Sequence, residues 1–138
     1  MAIATLQLHA APVMISGRAV PEGAVWFSKP TLLDLSTYRG DSGRLRVTVI
    51  GVDGEPLDVT AATWGCHVRA NLEATDLVTE LDVIPVSGQV NAVDIVLTPE
   101  KSVLLLDENV WDVEMTYQGN VNTLFAGAFY AVGDVTRP

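Results

Sequence analysis

Short alternating stretches run the length of the chain. Between Gly43 and Ile50, Leu45, Val47 and Val49 alternate with Arg44, Arg46 and Thr48, the period of two of a strand with one buried and one wet face. Trp64, Cys66, Val68 and Ala70 share one parity and Thr63, Gly65, His67 and Arg69 the other, which predicts a second strand facing the same core. Asp53-Gly54 and then Pro56 lie between them, turn chemistry that predicts a hairpin from Gly43 to Ala70. Further on, Leu77, Leu81 and Val83 oppose Val78, Glu80 and Asp82, and Pro85 and Gly88 close that strand. In the next strand Val93, Ile95 and Leu97 are expected inward and Asp94 outward. Thr98-Pro99-Glu100 places a capping hydroxyl, a proline at the first helical position and an acid at the positive dipole end, predicting one helical turn. Leu104 to Leu106 are expected to plug one end of the core. Trp111, Val113, Met115 and Tyr117 alternate with Asp112, Glu114 and Thr116. Gly119-Asn120 predicts a tight turn, and Val121 to Val132 a returning strand in which Gly127 marks a bulge or a close approach.

Strands separated by turn signals with almost no helix predict an all-β fold, an antiparallel β-sandwich of about seven strands and immunoglobulin-like size, over residues 38–138. Residues 1–37 read differently. Pro12, Pro21 and Pro30, with Gly17 and Gly23, limit them to short strands or an extended N-terminal arm. Ala2 to Leu8 and Ala24 to Ser28 are its strand-like pieces. The second carries Val25, Trp26 and Phe27, an apolar run without a nearby hairpin partner, and these three residues are the candidate subunit interface. Pro30 to Tyr38 is expected to act as a connector, packing Leu32, Leu33 and Leu35 on the sandwich edge.

Composition narrows the function classes. Of 138 residues 49% are hydrophobic and 18% charged, the balance of a packed domain with one core. Eight basic against seventeen acidic residues leave a net charge of −9, which repels phosphate backbones and anionic membrane surfaces, so neither nucleic acid nor membrane is an expected partner. Cys66 is the single cysteine, so no intrachain disulfide forms, in keeping with synthesis in a reducing cytoplasm. The apolar start of the chain lacks a basic residue before Arg18 and is read as mature protein rather than a signal peptide.

The reactive residue types do not assemble into a catalytic pattern. His9 and His67 lack zinc-ligand spacing. Cys66 and His67 are neighbours on a strand and point to opposite faces, which excludes a dyad and predicts a core thiol beside an exposed imidazole. Asp53, Glu55 and Asp58 lack the calcium-loop pattern and read as a solvated acidic turn. Asp112 and Glu114 share the outward face of a strand, where a flat sheet offers no cleft for glycoside hydrolysis; pairing with Arg44 or Arg46 across the sheet is the expectation. Arg39-Gly40-Asp41 matches an adhesion tripeptide but reads as a turn leading into the first core strand. The expectation is a protein that is not an enzyme, with no catalytic residue, no metal and no cofactor.

Three segments carry a family resemblance: YRGDSGRLRVTVIGVDGEPLDVTAATWGCHVRA, VNAVDIVLTPEKSVLLL and VWDVEMTYQGNVNTLFAGAFYAVGDVTRP. In this order they resemble the LtfC-like β-sandwich family of tailed-phage tail proteins, over residues 38–138. The resemblance implies a structural virion protein, a minor tail component made in the host bacterial cytoplasm. Its partners would be other virion proteins or copies of itself, engaged through the N-terminal arm and the sandwich surface. Two alternatives stand beside it: a capsid decoration protein, and a carbohydrate-binding adhesion module, for which only Trp26 and Tyr38 fall outside the inferred core parities.

Overall fold

The computed structural model describes residues 29–51 and 54–133, together with the backbone of three two-residue strands before them. In chain order the strands are β1 (Ile3–Ala4), β2 (Met14–Ile15), β3 (Arg18–Ala19), β4 (Thr31–Leu32), β5 (Leu35–Tyr38), β6 (Gly43–Thr48), β7 (Ile50–Gly51), β8 (Thr63–Arg69), β9 (Thr79–Glu80), β10 (Asp82–Pro85), β11 (Ala92–Leu97), β12 (Glu108–Tyr117) and β13 (Asn120–Val132). The four-residue helix α1 (Pro99–Ser102) stands between β11 and β12. The chain is all-β.

Two principal sheets share one core. The smaller has the order β10-β11-β6; the larger runs β4-β13-β12-β8-β9, with β5 also on β13. Val47, Val93 and Ile95 face inward from the first, and Cys66, Val68, Trp111, Val113, Met115 and Phe129 from the second, all in one buried cluster. Alternation therefore identified the inward residues of both sheets. It did not identify their partners. The expected Gly43–Ala70 hairpin does not form, because β6 pairs with β11 while β8 pairs with β12 and β9. Facing one core from opposite sides produces the same inward parity as facing it side by side. The reversal after β7 is real but local: the Gly51 N–H bonds the Glu55 carbonyl, the Leu57 N–H bonds the Val49 carbonyl, and Gly54 takes φ +82°. The chain then crosses to the other sheet.

The strand expected around Leu77–Val83 is likewise split. β9 belongs to the larger sheet and β10 to the smaller, with buried Leu81 at the crossing and Leu77 left exposed. Of Leu104 to Leu106 only Leu105 is buried. The larger sheet is mixed rather than purely antiparallel, since β4 and β5 run parallel to β13; nearly the whole domain serves as the long crossover a parallel pair requires.

Local chemistry follows the sequence closely elsewhere. The Thr98 hydroxyl accepts the Lys101 N–H and Pro99 opens the helix. The β12–β13 turn falls one residue earlier than expected, on Gln118-Gly119, with φ of 52° and 80°, the paired positive values of a type I′ hairpin. The register shifts between Val113 and Glu114, which face Phe125 and Thr123, so Leu124 is the extra residue. The bulge lets Leu124 and Phe125, neighbours of opposite parity, both be buried. Gly127, three residues on, is the close approach: a Cβ there would stand 2.3 Å from the Leu33 carbonyl oxygen. The residues proposed as the subunit interface, Val25, Trp26 and Phe27, lie outside the described residues.

Candidate functional site

Three surface features arise from this arrangement. The first is a cleft of about 340 Å³ on the outer face of the larger sheet. The register sets His67 of β8 opposite Asp112 of β12, and Asp112 opposite Ala126 of β13. The next row places Arg69 against Val110. Pro30, which precedes β4, and Leu72, after β8, complete an apolar rim. The Asp112 carboxyl is half-buried and its Oδ1 is fully buried without a hydrogen-bond partner. Burial, and then the Glu114 charge, push its pKa upward against the opposing pull of His67 and Arg69. The face expected to be flat and solvated thus carries a concavity, and His67 is half-buried rather than exposed.

Asp112 and Glu114 do not meet Arg44 and Arg46, which lie on the other sheet. The arginines instead clasp Asp94: Arg44 Nη1 donates to Oδ2 at 2.7 Å, and Arg46 donates from Nε and Nη2 at 2.8 and 3.0 Å. Asp94 sits on the outward face as expected, directly opposite Arg46, but its side chain is only 6% exposed under the two guanidinium groups. Hydrogen bonds from Arg46 and then Arg44 hold its carboxyl down to about 2.

The second feature is a lateral groove of about 260 Å³ between β5 and β6, floored by Leu81, Ile95, Leu97 and Phe129. The third is an apolar patch at one end. Tyr38 lies beside Val132 in the β5–β13 register, the Tyr38 carbonyl accepts the Ser102 hydroxyl, and a Cβ on Gly40 would touch Val103. Arg39 Nε donates to the Leu105 carbonyl between Leu104 and Leu106. Tyr38, Val103, Leu104 and Val132 are each more than half exposed.

The same bonds settle the Arg39-Gly40-Asp41 tripeptide. Its guanidinium is tied to Leu105 and ion-paired with Asp107, Gly40 adopts φ +94°, and the Asp41 N–H closes a turn onto the Tyr38 carbonyl. It is a turn whose arginine faces inward contacts rather than a receptor. Cys66 is fully buried and its thiol is pushed up to about 12, chiefly by that burial, so it supplies no thiolate nucleophile. Asp58 Oδ1 accepts both the N–H and hydroxyl of Thr60, which lowers its pKa. No group of three or more His, Cys, Asp or Glu residues suited to a metal ion occurs among the described residues. No helix among them is long and apolar enough to cross a membrane. A scan of known protein families finds no match to the chain, and no curated protein matches it.

Proposed function

We propose that the protein is a structural component of a tailed-bacteriophage virion, a minor tail protein. In this reading the two sheets form an immunoglobulin-like sandwich that takes in β4 and β5, and the residues before them an arm that engages a neighbouring subunit. The observation that carries it is the apolar end patch of Tyr38, Val103, Leu104 and Val132, because solvated large apolar side chains gathered at one end favour docking onto another protein surface. The likeness of residues 38–138 to the LtfC-like family supplies the virion context. An adhesion-module reading through sugar-stacking aromatics is weaker: Trp111 is 2% exposed and Trp64 is partly buried against the core, which leaves the separate tyrosines Tyr38 and Tyr130 as the exposed rings on the described surface.

The test is incorporation into particles. The double substitution Val103→Asp, Leu104→Asp changes exposed residues and leaves the sheets intact; it and a chain lacking residues 2–28 are expected to fold and to be missing from purified virions. Normal incorporation of both would remove the assembly role. Microscopy of particles carrying a labelled chain then separates a tail position from decoration of the capsid.

A further inference from the structure

The cleft on the outer face of the larger sheet leaves a carboxylate unpaired although two basic side chains stand beside it. His67 faces Asp112 directly across the β8–β12 pair, where an imidazole hydrogen bond would be expected. Its ring lies instead over Gly65: a Cβ on Gly65 would be 3.4 Å from both Cε1 and Nε2. The absence of a side chain at Gly65 gives the imidazole a place to rest along the strand. Arg69, one row away and also lining the cleft, is held by the Thr75 carbonyl, to which its Nη1 donates at 2.9 Å. Neither residue hydrogen-bonds Asp112, and Oδ1 of that carboxyl is buried without a partner. A half-buried carboxylate that no side-chain donor reaches is costly, and a donor entering the cleft beside it would lower that cost. The open space beside it, about 340 Å³, lies within the ~300–1,000 Å³ range of small-ligand cavities. Pro30, Leu72, Val110 and Ala126 supply apolar lining.

We propose that this cleft binds a small organic cation, an ammonium or guanidinium head on a short apolar stem, with Asp112 as its counter-charge. The head donates to the Asp112 carboxylate from the cleft side, and the stem lies against Val110, Ala126 and Leu72. Glu114, on the same face of β12, adds negative potential around the carboxylate, which Arg69 in the cleft lining opposes. Binding of this kind stands apart from the assembly role and does not depend on it. The cation arrives either as a free amine or guanidine or as the arginine side chain of another protein.

Butylguanidinium titrated into the full-length chain, followed by amide chemical shifts and by thermal stability, tests the proposal. Saturable one-to-one binding with shifts centred on Val110, Asp112 and Ala126 is expected, and butyrate, the anion of similar size, is expected not to bind. Asp112→Asn keeps the shape and removes the charge; it should weaken binding about tenfold or more. Glu100→Gln, on α1 and outside the cleft lining, should retain affinity within about threefold. Circular dichroism verifies that each variant is folded. Shifts that avoid the cleft, equal binding of butyrate, or an Asp112→Asn protein that binds as well as the parent would overturn the site. Comparison with an acetyl-Gly-Arg-Gly amide distinguishes the sources: tighter binding of the peptide identifies a partner's arginine, and weaker binding a free cation.

Discussion

Trp111 shows how much one side chain carries. It is 2% exposed, its ring stacks on Phe125 with centroids 6.4 Å apart, and its indole N–H donates to the Leu33 carbonyl at 2.8 Å. Trp111→Ala is therefore expected to lower stability by about 3–5 kcal/mol in denaturant unfolding; a loss under about 1 kcal/mol would contradict its place in the core. Asp94 makes a pH-dependent contribution. Its folded pKa is about 2 against an ordinary value of 3.8, so the stabilisation is present above the ordinary carboxylate range and disappears as pH falls from about 4 to about 2. Asp94→Asn should be less stable than the parent near neutrality, with the difference shrinking across that interval in acid titrations of the unfolding midpoint. A difference independent of pH would assign the effect to shape rather than charge. Trp111 was legible from its parity alone. The clasp on Asp94 was not, because its partners are 48 and 50 residues away and only the β11–β6 register brings them together.

Among the elements, the β4–β5 segment and β13 meet most tightly. At Gly127 the Leu33 carbonyl oxygen occupies the space a side chain would need, and Asp34 Oδ1 receives the Ala128 N–H at 2.9 Å. Gly127→Ala is expected to push this segment away from β13 and to cost about 1–3 kcal/mol as an overpacking change, with loss of amide protection at Leu33 and Ala128 in hydrogen exchange. Unchanged protection there would mean that the segment yields freely. Close approach at Gly127 was readable from a glycine inside a strand pattern. The bulge at Leu124 was not, because Leu124-Phe125 reads as a run of apolar residues whatever the register. Turn and cap signals located the ends of elements well, as at Thr98 and Gly119, since they act over four or five residues.

For the whole molecule, a chain of 138 residues with one cysteine and a net charge of −9 places two principal sheets on a shared core among its described residues. The sequence by itself determined the all-β class, the inward faces of the strands, the helix cap and most turns, because periodicity, glycine conformation and capping depend on near neighbours. Only the tertiary structure decided which strand pairs with which, that Gly43–Ala70 spans two sheets rather than forming one hairpin, and that Asp112 borders a cleft. Those outcomes depend above all on the β6–β11 and β8–β12 registers, between residues more than 40 positions apart, and parity, which repeats every second residue, is the same for every such pairing.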